Sequence, residues 1–472
     1  MVAPLFQVTT WDKTAVDRAP YIFMSTLAAI GDSPPATYIF QSSDLSLVYA
    51  EPAAADGSVG STTANVRTQK LNDETYLTYW RGPNVGGNSS RGCGFYNQQY
   101  ELVYDVNPVG LAPEVVLDIH ECQVTQDNTV LISIYAARPI DARPVGGPAD
   151  GLLIDSLFQE IDPVTNELLF TWAAIDHFVI TDSHVPYEVI TTSGATGWDW
   201  SHLNSVEKTA DGNYLVSFRH LSTVSLHNGT TGATIWALGG KANQFADLSG
   251  GNATNFAWQH DARFRSADLR LLSLFDNQGD NNQIGCTGVS CSRGLLLDLD
   301  FEAVTARVER EYRYPIGLVS DAMGSYGVLD NGNVLVGWGL NPAITEYHSD
   351  TGECVFDVQF APWPANENDF TNANYRVFKG DWMAYPAWPP AAVVEDGVLY
   401  VSWNGATEVS HWAIYTAADG ELSDSLQLDL VAPKDGFETS IAVKKKTRYV
   451  QAKALNRDRQ AIPGGSSAVI EL

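Results

Sequence analysis

The stretch HLNSVEKTADGNYLVSFR, residues 202–219, carries the pattern from which the fold can be predicted. A turn of Asp211, Gly212 and Asn213 leads into YLVSFR, a run of β-branched and aromatic residues that is typical of a strand. Related turn-and-strand runs lie at 72–80, 127–135, 268–275, 330–338 and 395–403. Six copies of this pattern predict six structural units.

Most units continue with a second turn and strand, as in IDPVTNELLFTW and HNGTTGATIW. Successive first strands are 55 to 84 residues apart, a spacing that suits four short antiparallel strands with variable loops. The sequence has no sustained helical periodicity of apolar residues. We therefore predict an all-β fold, and within that class a six-bladed β-propeller.

The predicted organisation is one domain over residues 1–472, because propellers grow by radial repetition and no linker-like tract divides the chain. Residues 1–70 are expected to form an N-terminal entry segment that supplies a closing strand. Residues 71–410 are expected to form the main blades. Residues 411–472 read as a β-rich tail that completes the last blade or packs beside it.

The formal charge of −28 and the isoelectric point near 4.5 narrow the choice of partners. Such a surface repels phosphate backbones, so nucleic acids and anionic membranes are disfavoured. The sequence contains no run of eighteen apolar residues, so no transmembrane segment is predicted. The expected partners are small molecules, and the oligomeric state stays open.

Five cysteines allow two disulfides with Cys354 left over: Cys286 and Cys291 could close a small loop, and Cys93 lies just before the strand that precedes Cys122, although the sequence leaves the connectivity open. Free buried thiols are the alternative. N-glycosylation sequons begin at Asn88, Asn228 and Asn252. Disulfides and sequons both indicate the secretory pathway. Because the chain opens without a signal-peptide pattern, we expect the mature extracellular or vacuolar protein, whose signal peptide has been removed.

Three histidines, His120, His202 and His260, lie four residues ahead of an apolar residue that leads into a turn and a strand. Because they share this register in consecutive repeats, a propeller would bring the three imidazoles together at the leading ends of its inner strands. The remaining histidines are interpreted as ordinary satisfied polar residues; they are His177, His184, His220, His227, His348 and His411.

Two neighbours extend this candidate site. Asn204 lies two residues after His202 and would point to the same side of an extended strand, and Arg219 closes the same hairpin. An amide, a guanidinium and imidazoles suit an oxyanion or a polarised carbonyl. Three histidines could also hold zinc, but an arginine in the cluster would repel a cation, so we expect no metal.

Tryptophans beside the histidines provide a candidate aromatic wall for a substrate. We assign this role to Trp198, Trp200 and Trp258, whereas the other tryptophans are expected to pack between blades. The sequence has no glycine-rich phosphate loop, no GxSxG elbow and no dinucleotide-binding fingerprint. No diffusible cofactor is therefore expected.

The stretch GWDWSHLNSVEKTADGNYLVSFRHLSTVSLHNGTTGATIWALGGKANQF, followed by FAWQHDARF, resembles the arylsulfotransferase-like family, and within it a secreted fungal branch. The resemblance runs from about residue 70 to about residue 410 and implies a six-bladed propeller. It also implies a histidine that takes the sulfuryl group covalently. By motif that residue is His260, with His202, Asn204, Arg219 and His120 around the sulfuryl oxygens.

The resemblance leaves more than one activity open. Some members of the fungal branch are hetero-Diels-Alderases that join a tropolone-type ortho-quinone methide to a humulene-type sesquiterpene, and we expect this activity first. Such an enzyme orients two reactants in an enclosed pocket and polarises the enone oxygen. The alternatives are sulfuryl transfer from an aryl sulfate to a phenol and a propeller that binds small molecules without catalysis.

Overall fold

The computed structural model describes residues 3–31, 33, 35–51, 63–82, 92–192, 194–279, 283–363, 372–418 and 425–472. Within these ranges the chain is built of strands, and the helical elements are four single 3-10 turns, at Arg143–Val145, Ala174–Asp176, Ile180–Asp182 and Gly288–Ser290. The predicted all-β class is confirmed. None of the described helical turns is long and apolar enough to cross a membrane.

Seven of the described sheets contain a run of four antiparallel strands. The seventh run is C-terminal and is described below, and we call the other six meanders 1 to 6. Meander 1 consists of Thr63–Leu71, Glu74–Arg81, Gly92–Tyr96 and Leu102–Val106. Meander 2 consists of Leu117–Val124, Val130–Ile140, Gly151–Asp162 and Glu167–Ala173. Meander 3 consists of Leu203–Lys208, Tyr214–Phe218, Thr223–His227 and Thr234–Leu238.

The remaining meanders follow the same order of strands. Meander 4 consists of His260–Phe264, Leu271–Asp276, Arg293–Asp300 and Thr305–Arg313. Meander 5 consists of Ser325–Val328, Val334–Gly337, Ala343–Tyr347 and Cys354–Gln359. Meander 6 consists of Phe378–Gly380, Tyr21–Ser25, Thr37–Gln41 and Leu47–Ala50.

Short strands extend three of these sheets. Gln7–Trp11 pairs with the last strand of meander 5, and Ala246–Asp247 pairs in parallel with the last strand of meander 4. Ala195–Asp199 pairs in parallel with meander 2 and carries Ile190–Thr192. Gln283–Ile284 and Leu318–Val319 form a separate two-stranded sheet.

Five of the six predicted turn-and-strand runs supply the second strand of meanders 1 to 5. The sixth run, residues 395–403, belongs to none of the six meanders. Its strand Val398–Ser402 pairs with Ala391–Glu395 and Glu438–Ala442 in a three-stranded sheet. The turn-and-strand pattern describes one hairpin and carries no information about which sheet that hairpin joins, which is why the sequence interpretation was wrong here.

Meander 6 is assembled from both parts of the chain. The N-terminal segment supplies three of its strands rather than the single closing strand that we expected, and Phe378–Gly380 pairs with Tyr21–Ser25. Beyond it, a second C-terminal sheet contains His411–Ala418, Gln427–Pro433, Thr447–Leu455, Ala461–Ser466 and Ile470–Glu471. Hydrogen bonds between Asn404 and Ala50 attach the C-terminal region to meander 6.

The hydrophobic core is divided into clusters that lie between sheets. One cluster separates each meander from the next, and another lies between meander 6 and meander 1. In the last of these, Phe23 and Ile39 of meander 6 pack with Leu77 and Tyr79 of meander 1. Both ends of the meander series are therefore held together by buried apolar side chains.

A buried charge network joins the first strands of several meanders. The Glu121 carboxylate of meander 2 accepts from Arg263 of meander 4 at 2.6 Å and from Arg376, just before meander 6, at 3.2 Å. Arg67 of meander 1 lies 3.7 Å from the same carboxylate, and Asp261 is within 3.4 Å of Arg263 and Arg376. We call these residues the axial charge network.

The cysteines and sequons have the following places. Cys93 is bonded to Cys122, across meanders 1 and 2, and Cys286 is bonded to Cys291; these are the pairs named from the sequence. Cys354 is free, and burial raises the pKa of its thiol to about 12. Asn88 lies outside the described residues, whereas Asn228 and Asn252 lie in partly exposed turns, where glycosylation stays a prediction.

Replacing Glu121 with Gln tests the axial charge network. The change leaves three buried guanidinium groups with less opposing charge, so we expect the free energy of unfolding to fall by about 3–5 kcal/mol. Urea unfolding followed by fluorescence measures the change. Asp141→Asn is the matched control, because Asp141 and its partner Arg143 are exposed, and we expect it to leave the unfolding midpoint unchanged. Equal effects of the two variants would contradict the assigned role.

The same carboxylate predicts a pH dependence of stability. Although burial alone would raise the pKa of Glu121, the three arginines hold it at about 2, below the ordinary 4.5. A depressed carboxylate pKa contributes stability above 4.5, and this contribution is lost as the pH falls from 4.5 towards 2. The melting temperature of the wild type should therefore drop over this window more steeply than that of Glu121→Gln. Parallel curves would contradict the prediction.

Candidate active site

The three histidines predicted from the repeat register lie at the start of the first strands of neighbouring meanders. His120 is in Leu117–Val124, His202 immediately precedes Leu203–Lys208, and His260 opens His260–Phe264. The ring centres of His120 and His202 are 4.8 Å apart. The Tyr375 ring bridges to the third histidine, at 5.5 Å from His120 and 6.5 Å from His260.

A fourth histidine, His220, belongs to the same group and was missed in the sequence. Its ring centre lies 4.6 Å from that of His202. It is brought there by the hairpin of meander 3, in which the backbone N–H groups of Arg219 and His220 donate to the carbonyls of His202 and Ser201. Its place directly after Arg219 at a strand end was the available signal. We call His120, His202, His220 and His260 the histidine cluster.

Two of the histidines are paired with buried carboxylates. The Nδ1 of His120 bonds to Asp118, and the Nδ1 of His202 lies 2.5 Å from Asp199 Oδ2. Asp118 also accepts from the Ser133 hydroxyl at 3.2 Å, which fixes the carboxylate. A carboxylate at Nδ1 keeps the proton on that nitrogen, so the Nε2 lone pair of each ring is presented to the site. This arrangement provides bases or nucleophiles.

His260 is held differently. Its Nδ1 lies 2.8 Å from Asn277 Oδ1, while the Asn277 amide donates to the carbonyls of Ser320 and Met323. The amide oxygen can only accept, so Nδ1 carries the proton. The backbone N–H of Met323 then donates to Nε2 at 3.2 Å. His260 is therefore a neutral imidazole whose reactive lone pair faces a backbone donor.

Arg219 is fixed beside the cluster by three neighbours. Its Nη1 donates to His220 Nε2 at 2.7 Å, and its Nη2 donates to the Asp321 side chain at 3.0 Å. The guanidinium stacks on the half-buried Trp258 ring at 4.8 Å. A guanidinium held in this way offers a preorganised positive charge to an anionic group.

Three rings of the cluster, those of His202, His220 and His260, are uncharged near neutral pH. Burial lowers the pKa of His202 and of His260 well below 6.5, and the positive charge of Arg219 adds to both shifts. Burial likewise lowers the pKa of His220 to about 3. Its Nδ1 donates to the Asp199 carbonyl at 2.5 Å and its Nε2 accepts from Arg219, so both ring nitrogens are engaged as a neutral imidazole requires.

Asn204 is not presented to the site as we expected. His202 has a left-handed backbone with φ of 54°, and the pairing register shifts between Leu203 and Ser205. The simple alternation of an extended strand therefore fails here. The Asn204 amide is fully buried and donates to the Gln259 carbonyl at 2.6 Å, so it offers no free donor to a substrate.

The predicted aromatic wall is reduced to one residue. Trp258 contacts the cluster through Arg219 and through the His220 ring at 5.6 Å. Trp198 and Trp200 are instead fully buried in the hydrophobic cluster between meanders 2 and 3. Tyr135 was missed in the sequence: it belongs to the same buried cluster as the two tryptophans, but its ring lies 5.5 Å from His120 and 5.6 Å from His202.

Backbone strain is concentrated around the cluster. His202, Trp258, Asp261 and Met323 all have positive φ, between 54° and 65°. Residues other than glycine adopt this conformation rarely, and it persists only where the surrounding structure enforces it. Strain of this kind is typical of functional sites.

A metal ion fits the cluster poorly. Asp199, His202 and His220 place one potential ligand atom each within 4.8 Å of one another. However, the Nδ1 atoms of both rings carry protons that are donated to Asp199, and His220 Nε2 accepts from Arg219. For His220 to bind a metal, either Arg219 would have to leave its Nε2 or its Nδ1 would have to lose the proton donated to the Asp199 carbonyl. The expectation of no metal remains a prediction.

The chain is similar to one protein family in sequence and to several solved structures. A family model described as Arylsulfotransferase (ASST) matches residues 67–361, more than half of the chain. No curated protein matches the sequence. Among solved structures, a Bacteroides caccae protein of unknown function is 10% identical and covers 76% of this chain and 98% of its own, with a TM-score of 0.41. A periplasmic gluconolactonase of Pseudomonas aeruginosa is 11% identical and covers 84% and 96%, with a TM-score of 0.29. At these scores the two likenesses carry no inference about fold or activity.

The hydrogen bonds of the cluster predict an uncommon tautomer. In water a neutral histidine prefers its proton on Nε2, whereas His202, His220 and His260 should carry it on Nδ1 because each Nδ1 faces an oxygen acceptor. Long-range proton–nitrogen correlation spectra of histidine-labelled protein report the tautomer directly. We expect the three Nε2 atoms to be unprotonated at pH 6.5, the ordinary pKa of a histidine. Nε2–H signals, or imidazolium signals at that pH, would contradict this structure of the cluster.

Proposed function

Because the chain belongs to the arylsulfotransferase (ASST) family, we propose that it is an enzyme that transfers a sulfuryl group from an aryl sulfate to a phenol. One observation carries the proposal: His120 and His202 are each paired with a carboxylate at Nδ1, His260 is paired there with Asn277, and Arg219 lies beside this cluster. The Nε2 lone pairs of His120 and His202 are left for the reaction, and that of His260 lies opposite the Met323 N–H. Lone pairs beside a cation are what attack on an anionic sulfate ester requires.

The proposed architecture is a single six-bladed propeller over residues 1–472, with each meander as one blade. The buried apolar cluster between meanders 6 and 1 supports closure of the ring. The axial charge network supports it as well, because Arg67, Glu121, Arg263 and Arg376 reach one another from four meanders. In such a ring the histidine cluster lies at one end of the central channel.

In the proposed reaction, His260 is the nucleophile. Its Nε2 lone pair forms a bond to sulfur while the bond between sulfur and the aryl oxygen breaks, and the phenolate leaves. Asn277 holds the proton on Nδ1 throughout, and its neutral amide leaves the sulfuryl-imidazolium reactive enough to transfer onward. The Met323 N–H faces Nε2 in the free enzyme and would be released by this step to donate to a sulfuryl oxygen.

The second half of the reaction uses the carboxylate-paired histidines. The acceptor phenol attacks sulfur, the N–S bond of His260 breaks, and the phenolic proton passes to the Nε2 of His202 or His120. Asp199 and Asp118 stabilise the imidazolium that forms, as a carboxylate does for a general base in hydrolases. Arg219 neutralises the charge on the sulfuryl oxygens in both halves. No diffusible cofactor is needed.

A hetero-Diels-Alder cycloaddition between a quinone methide and a sesquiterpene is the second candidate. The aromatic rings of Tyr135, Tyr375 and Trp258 around the cluster favour binding of a flat reactant. Polarising an enone oxygen, however, requires hydrogen-bond donors, and neutral imidazoles with protonated Nδ1 present acceptors instead. The donors assigned to the site, the Arg219 guanidinium and the Met323 N–H, already have partners within the chain, so the geometry supports sulfuryl transfer better. A propeller that only binds small molecules is the third candidate.

A secretory-pathway location is part of the proposal. The disulfides Cys93–Cys122 and Cys286–Cys291 support it, because disulfides persist in oxidising compartments. The charge of −28 agrees with a small-molecule substrate rather than a nucleic acid.

Incubation with p-nitrophenyl sulfate tests the proposed reaction. We expect intact-protein mass spectrometry to show one sulfuryl group on the wild type, and none on His260→Ala, because the attacking nitrogen is removed. His202→Ala should keep the first half-reaction and slow transfer to a phenol about 10²–10⁴-fold, because a general base is lost. His411→Ala, in a C-terminal sheet, is the control and should match the wild type.

The three candidate functions give different results in this experiment. Sulfuryl transfer is contradicted if the wild type neither gains the adduct nor releases nitrophenol. If, in addition, the protein accelerates cycloaddition of a quinone-methide precursor with a humulene-type terpene, the second candidate replaces it. Binding of a phenol without any turnover would leave the third.

A further inference from the structure

A cleft on the outer side of meanders 3 and 4 lies away from the histidine cluster. It has a volume of about 560 Å³, within the range of small-molecule sites. Trp236 and Phe245 form its floor and are buried, while Ile235 and Phe301 at its edges are more than a third exposed. The Trp236 ring lies 5.5 Å from Phe245 and 5.8 Å from Phe301. We call this the rim cleft.

Two hairpin turns of meander 4 each place an apolar residue with an unusual backbone conformation in the rim cleft. Leu269 and Val304 both line it, and both have left-handed backbones, with φ of 61° and 51°. This conformation is unfavourable for a leucine and more so for a β-branched valine. Neither residue belongs to a buried hydrophobic cluster, and Val304 is 41% exposed.

The equivalent turns in other meanders use residues that tolerate the conformation. The N–H of Leu269 donates to the residue three before it, as do Asn128, Gly212 and Gly332 in meanders 2, 3 and 5. Val304 ends a turn in which Asp300 accepts from the next backbone N–H groups. Asn166, Gly232 and Gly352 end the matching turns of the same three meanders. Meander 4 thus carries a branched apolar residue where these three carry Asn or Gly.

Apolar residues at such turns elsewhere are compensated by contacts within the chain. Leu45, with φ of 63°, packs against the cluster between meanders 5 and 6. Tyr100, with φ of 61°, is buried and donates to the Gly405 carbonyl at 2.9 Å. Leu269 and Val304 are not among the residues that pack against a buried cluster, so the strain at these two turns is unrelieved in the free protein.

We propose that the rim cleft binds a small aromatic amine, whose ring contacts Trp236, Leu269 and Val304 and whose ammonium group lies near Asp211 and Asp268. Both charged residues in the described lining are acidic, and an aromatic floor favours a cation further. The ligand would bury Leu269 and Val304. It would thereby give them contacts like those that Leu45 and Tyr100 make within the chain. The site is independent of the proposed sulfuryl transfer.

Titration calorimetry with three indole compounds tests this site. We expect tryptamine, which is cationic, to bind more tightly than neutral indole-3-acetamide, and indole-3-acetate, which is anionic, to bind most weakly. Asp268→Asn should remove much of the preference for tryptamine over the acetamide. No saturable binding of tryptamine up to about 1 mM, or equal affinity for all three compounds, would overturn the proposal.

The double variant Leu269→Gly with Val304→Gly separates a binding role from a folding role. Glycine relieves the backbone strain, so the melting temperature should stay level or rise, while tryptamine binding weakens about tenfold or more because apolar contacts are lost. Leu45→Gly is the matched control, and its melting temperature should fall because packing is removed.

Two results with the double variant would overturn the proposal. A fall in melting temperature like that of Leu45→Gly would show that Leu269 and Val304 serve folding. Dimerisation of the wild type that the double variant abolishes, measured by sedimentation, would show that the rim cleft is covered by a second copy of the chain instead.

Discussion

The structure depends on one buried carboxylate. Glu121 is fully buried and is surrounded by three arginines that come from meanders 1, 4 and 6, while Asp261 supplies the second negative charge. Removing such charges from water costs several kcal/mol per ion, and only several well-aligned partners offset that cost. The network therefore forms only when the first strands of these meanders are in their final places. It specifies the arrangement of sheets that are otherwise joined by non-directional apolar packing.

This network also fixes the histidine cluster. Glu121 directly follows His120, and Asp261 directly follows His260, so the residue that holds each strand is next to the residue that serves the site. Tyr375, whose ring lies between the two histidines, is followed by Arg376 of the network, and its hydroxyl donates to the Asn204 carbonyl. Burial of the rings and the positive charge of Arg219 then keep His202 and His260 neutral. Preorganisation of the site and stability of the fold thus rest on the same strand ends.

The repeating hairpins of the fold could be predicted from the sequence, but the pairing of strands in meander 6 could not. Five turn-and-strand runs predicted the second strands of meanders 1 to 5, because Asn and Gly turns followed by β-branched residues are local signals. Meander 6 could not be predicted, since its strands come from residues 21–50 and 378–380 and their pairing depends on contacts remote in sequence. The three histidines were found by their register. His220 was missed because it lies at the other end of a hairpin, which only folding brings beside His202.

Residues that depart from local sequence rules distinguish positions that serve folding from positions that serve a site. Asn204 and the two buried tryptophans were assigned to the site by strand alternation and by proximity in sequence, and both rules failed at the left-handed backbone of His202 and in the packed core. Large apolar residues with a left-handed backbone occur where the side chain is compensated by packing, as at Tyr100, or where it lies at the histidine cluster or the rim cleft. The polar residues Lys446 and Arg459 adopt the same conformation in exposed turns. A natural sequence is locally consistent where only folding acts on it, so we infer that a strained apolar residue without internal compensation contacts something outside the chain.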